Sequence, residues 1–341
     1  MDHLQRYSRQ MAFAGVDEAG QRKLLASRVA VIGLGALGSV ISDRLARSGV
    51  GSLRLIDRDY IKLSNLQRQS LFDEDDAREH MAKAAAAKAR LSRINSEIEI
   101  EAFTADVNSS NVENLIRGAD IVLDGTDNYE ARYLLNEACH KYKIPWIYGG
   151  ALAGSGAVMS ILHDGGPCFR CLYPQAPAAG SYPTCSTSGI LSMASGIAAC
   201  LEAAEAIKIL IGSPKVSHSY TAIDIWENAF DRIAVQRNPD CPVCGHDQYE
   251  YLGKAAGAYG VNVCGSNGNG VQLWPGVKTT LNLEEQARRL EKIGKVQVNS
   301  FMLTFEGPEA AFSLFAHGSA IIQNAEDEKE AKSVYSEYIG M

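Results

Sequence analysis

Short apolar runs of strand length alternate with longer amphipathic stretches through the first half of the chain. Residues 17–27 (DEAGQRKLLAS) predict a short helix feeding an apolar strand from Arg28 to Gly33. The segment GLGALG opens a helix to about Gly49, followed by a strand over Ser52–Asp57 and an Ala-rich helix over roughly Arg78 to Asn95. The β-branched runs IEIEAFT (98–104), DIVLDGT (120–126) and IPWIYGG (144–150) come next, with helical stretches between them. This alternation predicts an α/β fold built on a Rossmann-like, doubly wound, mostly parallel sheet. Over Ser155–Leu162 and Ser219–Gln236 the strand-like runs lack intervening helices, so antiparallel strands are expected to continue the sheet. Between them, the apolar stretch 190–211 is interrupted by Glu202, Glu205 and Lys208 and reads as a buried helix, not a membrane span.

A Gly/Ala-rich stretch, LGKAAGA at 252–258, predicts a linker between an N-terminal domain (1–252) and a small α+β domain (258–341). The second domain reads strand, GSNGNG turn, strand, helix (Leu283–Ile293), a single strand through VQVNSFMLTF, a hairpin at FSLFAHGSAII and a closing helix (Ala325–Ile339).

With 46% hydrophobic residues, the 341-residue chain can bury a core in each domain. A net charge of -7 removes the broad cationic surface that a nucleic-acid backbone requires, so no nucleic-acid partner is expected. The N-terminal residues MDHLQRYSRQ carry no apolar export segment, which points to the cytoplasm. In that reducing setting eight cysteines imply metal ligands or a reactive thiol before disulfides.

Gly33, Gly35 and Gly38 form G-x-G-x-x-G between a strand and a helix, where free N–H groups at the helix N-terminus can receive phosphate. Asp57 ends the next strand, as an acid that binds ribose hydroxyls does. This fingerprint alone does not separate ATP from NAD and would favour a nicotinamide-dependent oxidoreductase. The polar residues downstream change the balance. Asp59, Ser64-Asn65-Leu66-Gln67-Arg68-Gln69, Lys83 and Asp127-Asn128 all fall at or just beyond the carboxyl ends of strands, the ligand side of a doubly wound sheet. Two cations and an extra carboxylate facing one crevice suit a triphosphate with magnesium.

Cys168-x-x-Cys171 and Cys241-x-x-Cys244 are two pairs that can each take two corners of one tetrahedral zinc; a single pair would leave a redox role open. Cys185 sits in the Pro/Gly/Ser-rich segment 175–188, just before the apolar helix, where a thiol can act as a nucleophile or be an incidental loop residue. Cys139, Cys200 and Cys264 lie in apolar or strand-like contexts and are expected to be packing residues.

Taken together, R-Y-S-R-Q (6–10), G-L-G-A-L-G (33–38), D-R-D (57–59), S-N-L-Q-R-Q (64–69), T-D-N (126–128), the paired CxxC and T-C-x-x-x-G (184–189) resemble the ThiF/MoeB/HesA family of ubiquitin-activating-type adenylyltransferases. The resemblance implies that Gly33, Gly35, Ala36 and Gly38 contact ATP and that Asp57 binds its ribose. It implies that Asn65, Arg68 and Lys83 hold the phosphates and that Asp127 positions magnesium. Arg9 matches an arginine that family members insert into the neighbouring subunit's site, which implies a homodimer. Cys185 matches a cysteine that some members use for sulfur transfer after adenylation. The implied substrate is the C-terminal glycine of a small ubiquitin-like sulfur carrier, ThiS-like for thiamine or MoaD-like for molybdopterin, with a cysteine desulfurase or another sulfur donor as a further partner. The cysteine in the crossover segment leans toward the thiamine branch. Ala82 stands where relatives usually carry proline, which leaves Lys88 as an alternative to Lys83. Residues 255–341 resemble an extension of some bacterial members.

Overall fold

Strand β1 (Arg28–Ile32) is buried along nearly its whole length, with Val29 and Val31 entering one apolar cluster and Ala30 and Ile32 the other. Continuous burial on both faces is the signature of a central parallel strand covered by helices on each side. In the computed structural model β1 indeed lies inside an eight-stranded sheet of order β3-β2-β1-β4-β5-β6-β7-β8. The other strands are β2 (Ser52–Asp57), β3 (Glu99–Thr104), β4 (Ile121–Asp124), β5 (Trp146–Leu152), β6 (Ser155–Ile161), β7 (Tyr220–Asp224) and β8 (Ala229–Ile233). The pairings from β3 to β5 are parallel, and those from β5 to β8 are antiparallel, as the change of pattern after residue 155 predicts.

The structure describes residues 4–176, 188–253, 259–265, 268–274, 280–299, 302–325 and 327–340. It divides the chain into two compact units, Met1–Lys254 and Ala255–Met341. Cys185 and most of the segment 175–188 lie outside the described residues.

In the first unit, helices α1 (Ser8–Met11) and α2 (Asp17–Ala26) precede β1, and α3 (Gly38–Ser48) links β1 to β2. Gly49, at φ +78°, ends α3 in the left-handed conformation, and a β-carbon there would come within 2.5 Å of the Tyr7 ring. The Ala-rich helix is shorter than its sequence predicts. A separate turn, α4 (Glu74–Arg78), ends early, and α5 (Lys83–Ile94) starts at Lys83. The break is tertiary: Met81 carbonyl accepts from Ile61 N–H at 2.9 Å, Tyr60 and Ala82 form a bridge, and His80 sits at φ +48°. Helices α6 (Val112–Ile116) and α7 (Tyr129–Tyr142) cover the opposite face, and α8 (Phe169–Leu172) is a single turn. Helix α9 (Ser192–Ile211) lies on β5 and β6 through a ridge of Ala194, Ala198, Ala199, Ala203 and Ala206. Small side chains let helix and sheet approach closely: a β-carbon on Gly156 would be 3.1 Å from that of Ala198. Among the described residues no helix is long and apolar enough to cross a membrane.

The second unit holds a six-stranded antiparallel sheet, β11-β12-β13-β14-β10-β9. Its strands are β9 (Tyr259–Gly265), β10 (Gly268–Trp274), β11 (Lys295–Val298), β12 (Met302–Glu306), β13 (Ala311–Phe315) and β14 (Ala320–Gln323). The run VQVNSFMLTF is therefore two strands of a hairpin, not one. Asn299 turns the chain, its N–H donating to the Met302 carbonyl and its side chain accepting from Met302 N–H. Helices α10 (Leu283–Leu290) and α11 (Glu328–Tyr338) cover one sheet face, where Leu303, Phe305, Phe312, Leu314 and Ile322 meet Leu283, Leu290 and Tyr335.

Candidate functional site

The loop after β1 is set by contacts between glycines. A β-carbon on Gly38 would sit 1.8 Å from the Gly33 carbonyl oxygen, and one on Gly33 (φ +86°) would sit 2.6 Å from the backbone of Gly125. Gly125, just past β4, completes this packing of three backbones. Gly35 differs: its nearest neighbours would be 3.9 Å away, so no protein atom demands glycine there. What the bare backbone at Gly35 provides is room over the N-terminus of α3, the shape a phosphate group needs.

Beside this loop, Asp57 accepts from Leu34 N–H at 2.6 Å and from Asp59 N–H at 2.7 Å. Lys83, only 5% exposed at the first position of α5, donates to Asp59 at 2.9 Å. The early start of α5 is what aims this lysine into the crevice, whereas Lys88 is exposed on the same helix. Burial opposes the charge on Lys83, yet Asp57, Asp59 and Asp127 outweigh it and raise its pKa. Burial likewise lifts Asp57 against the pull of Lys83. For Asp59 burial is overcome by Lys83 and Arg58, which hold its carboxyl down at about 2. Asp127 is exposed at the mouth of the crevice, within electrostatic reach of both Lys83 and Arg58.

The stretch 64–69 wraps this region. Asn65 accepts from Lys62 N–H at 3.1 Å, and Arg68 donates to the Ser64 carbonyl at 2.9 Å. Ser64 and Gln67 are exposed, while Leu66 packs against the apolar core rather than facing the crevice. Asn128 caps α7 by accepting from Ala131 N–H at 2.8 Å. Arg9 is not brought to this crevice in its own chain. Its helix α1 is anchored at the opposite edge of the sheet, where Gln10 donates to Gln21 and to the Ser48 carbonyl and Asn95 donates to Tyr7.

On α8 and a knuckle at 238–245, the sulfurs of Cys168, Cys171, Cys241 and Cys244 all lie within 4.8 Å of one another. The pairs Cys168–Cys241 and Cys171–Cys244 are 3.6 and 3.5 Å apart. Bonds of 2.3 Å to a tetrahedral zinc place sulfurs about 3.8 Å apart, so the donor set fits that ion. Asn238 N–H and the Asn136 amide donate to these sulfurs, the outer bonds that orient thiolate ligands. Gly245 is required where it stands, since a β-carbon would meet the Pro239 carbonyl at 2.2 Å. Cys139 is buried as expected, but Cys200 is not a packing residue: it is exposed on α9. The side chain of Cys264 lies outside the described residues.

The ThiF family matches residues 7–243 of this chain, a span that contains the glycine loop and three of the four cysteines and ends one residue before Cys244. The chain belongs to the ThiF family. A ThiF-family relative, the sulfur carrier protein ThiS adenylyltransferase of Bacillus subtilis, is 36% identical over 338 residues, 98% of this chain and 99% of the relative. The SAMP-activating enzyme E1 of Haloferax volcanii is 39% identical over 246 residues, 71% of this chain and 89% of its own. Among solved structures, E. coli MccB with ATP aligns with a TM-score of 0.63 at 26% identity, covering 72% of this chain and 75% of that one. These likenesses bear out the adenylyltransferase reading over the nicotinamide-dependent alternative.

This ThiF-family crevice also holds Gln69, which the sequence already places on the ligand side, and Arg132, which escaped the sequence reading. Gln69 is buried with its Oε1 unpartnered, and its Nε2 is the side-chain atom nearest to Gly35. Arg132 donates to the carbonyls of Thr126 (2.8 Å) and Gly149 (3.2 Å), lies 3.4 Å from Asp124, and stacks 5.1 Å from the Tyr148 ring centre. It fixes the backbone next to Asp127. Its signal was available: position 132 lies one helical turn past the cap Asn128 and so returns to the same end of α7. Glu202 of α9 is fully buried nearby, pushed up in pKa by burial and Asp124, and occupies the space that a side chain on Gly149 would fill.

Proposed function

We propose that this chain adenylates the C-terminal glycine carboxylate of a ThiS-like sulfur carrier, consuming ATP and releasing pyrophosphate. The observation that carries the reading is the crevice itself: Lys83 buried among Asp57, Asp59 and Asp127, beside the open backbone of Gly35, where a β-carbon would meet nothing closer than 3.9 Å. One carboxylate oxygen of the carrier attacks the α-phosphorus, a new P–O bond forms, and the bond to the bridging oxygen breaks as pyrophosphate leaves. The attacking carboxylate is already ionised at neutral pH, so positioning and charge neutralisation do the work that a general base does elsewhere. Arg68 and Lys83 neutralise phosphate charge. Asp127 would hold magnesium, which supplies further neutralisation when bound, and the four cysteines would hold a structural zinc.

The thiamine branch is favoured because the likeness to the Bacillus ThiS adenylyltransferase continues through the second unit. A protein partner is also favoured by the hairpin β7–β8 at the sheet edge, where Trp226, Phe230 and Ile233 are exposed. Delivery of sulfur through Cys185 from a cysteine desulfurase or another donor, in the cytoplasm, belongs to the same reading. Incubation with ATP, magnesium and a Gly-Gly-ended carrier should add one AMP to the carrier, seen by intact mass and located at its terminal glycine by fragmentation. AMP found on no candidate carrier, with zinc-replete protein, would remove the proposal.

A homodimer with shared sites belongs to the same reading, and the position of Arg9 away from its own crevice supports it. Mixing inactive Arg9→Ala and Lys83→Ala proteins under exchange conditions should restore about a quarter of wild-type activity, because half the dimers are mixed and each has one intact site. Mixed samples as inactive as their parents would place Arg9 outside the reaction.

A further inference from the structure

We propose that Glu202 is a positioning residue for Asp127: as a neutral acid it leaves Arg132 to Asp124, and that pair fixes the turn carrying Asp127. The inference rests on the adenylation reading for what Asp127 does. Gly149 of β5 meets the buried polar groups from both faces of the sheet. On the α9 face, a β-carbon on Gly149 would lie 1.8 Å from the Glu202 carboxylate, so the acid fills the gap that glycine leaves. On the α7 face, Arg132 donates to the Gly149 carbonyl at 3.2 Å and to the Thr126 carbonyl at 2.8 Å. Asp124 alternates onto this second face behind Val122 and lies 3.4 Å from Arg132. Its Oδ1 accepts from the N–H and the hydroxyl of Thr126, at 2.9 and 2.6 Å. Thr126 is thus held at its N–H, its side chain and its carbonyl, and Asp127 is the next residue.

Two acids and one guanidinium are enclosed together, and this count decides where a proton sits. Arg132 neutralises one carboxylate, and Asp124 has both that cation and the Thr126 donors. The Asp124 N–H lies within reach of Glu202, yet neither Glu202 oxygen has a hydrogen-bond partner of normal geometry among the described residues. Ionised, it would be an uncompensated buried charge, so it keeps its proton. Burial and the charge on Asp124 both push its pKa up, and Arg132 opposes them only in part. The other groups on elements packed against α9 are engaged elsewhere. Strands β5 and β6 carry no charged residue, and Tyr148 and Tyr220 belong to the opposite apolar cluster. Asp43 of α3 pairs with Arg44 and Arg47, and Glu18 of α2 pairs with Arg22. Asp17 accepts from Gly20 N–H, and Lys23 donates to the Ile211 carbonyl. Asp224 of β7 accepts from Trp226 and Glu227 N–H, and Glu205 of α9 pairs with Lys208. A charged Glu202 would compete with Asp124 for Arg132, and the carbonyls of Thr126 and Gly149 would lose their donor.

Melting of wild-type, Glu202→Gln and Glu202→Met proteins from about pH 5 to about pH 9 tests the neutral acid. Unfolded, Glu202 releases its proton near the ordinary value of 4.5, and folded it keeps it. The stability it contributes at low pH is therefore lost as the pH rises toward the folded value. Relative to either neutral variant, the wild-type melting temperature should fall by roughly 3–5 °C per pH unit until the folded acid ionises. A constant difference across the range would overturn the proposal, and Glu202→Met gives this result even where the amide does not fold. ATP–pyrophosphate exchange with a Gly-Gly-ended carrier tests the positioning. Glu202→Ala should lower kcat by about 10- to 100-fold, the cost of a misplacement near 1 Å, and Glu202→Gln should recover most of that loss. The ratio of wild-type to Glu202→Gln exchange should drop at the pH where the melting difference levels off, which a merely space-filling side chain would not cause. A ratio that does not change there, or a Gln variant as slow as Ala, would overturn the role. Absence of exchange in the wild-type protein would instead overturn the adenylation reading, and the melting series would still decide whether Glu202 is neutral.

Discussion

Asp127→Asn should lower ATP–pyrophosphate exchange by about 10²–10³-fold, the loss that follows removal of one preorganised electrostatic partner. Because Asp127 is exposed and Asn keeps its shape, the melting temperature should move by no more than about 2 °C. Lys83→Ala provides the contrast. It should abolish exchange to a similar degree, but it also strands Asp57 and Asp59 beside each other without their shared cation. Breaking a fully buried pair costs about 3–5 kcal/mol, and the 44% exposure of the Asp59 side chain lowers that figure here to about 1–3 kcal/mol. The two variants thus separate chemistry from folding: one should be inactive and stable, the other inactive and destabilised. Undiminished exchange in Asp127→Asn would show that this carboxylate faces the crevice without serving it.

The second large effect is expected at the cysteine cluster. Cys241→Ser should lose close to one equivalent of zinc by elemental analysis and lower the melting temperature by about 10 °C, as a cost of about 3–5 kcal/mol does in a domain of this size. The reason is the reach of the clip. Cys168 and Cys241 are 73 residues apart, and the polar side chains of α7 are committed to the same region. Asn136 accepts from Phe169 N–H, Glu137 accepts from the amides of Glu250, Tyr251 and Leu252, and His140 pairs with Asp247. Without the metal these buried groups lose the frame that satisfies them. Unchanged metal content and unchanged melting in Cys241→Ser would leave the four thiols as a packing cluster only.

The sheet was legible in the sequence because its signals are local: β-branched runs of strand length, a glycine fingerprint at one strand end, and strand-like runs without intervening helices over 155–162 and 219–236. The paired CxxC was legible for the same reason, since spacing alone specifies two corners of a tetrahedron. What escaped is what tertiary contact decides. Residues 78–95 have nearly uniform helix propensity, so nothing local marks the break before Lys83; it comes from the bond between Ile61 and Met81. Arg58 and Asp106 lie 48 residues apart and meet only because β2 and β3 exit in register. Cys200 sits seven residues after Met193, and both fall on the exposed stripe of α9 that an almost wholly apolar helix conceals from pattern reading. The turn at Asn299 was hidden by apolar residues continuing on both sides of it.

The account depends on one crevice serving both a triphosphate and a protein tail. ATP–pyrophosphate exchange measured with and without a Gly-Gly-ended carrier tests this directly. Exchange should appear only with the carrier and vanish when its terminal glycine is removed. Exchange that proceeds equally well without any carrier would contradict the claim that a protein carboxylate is the group this site activates.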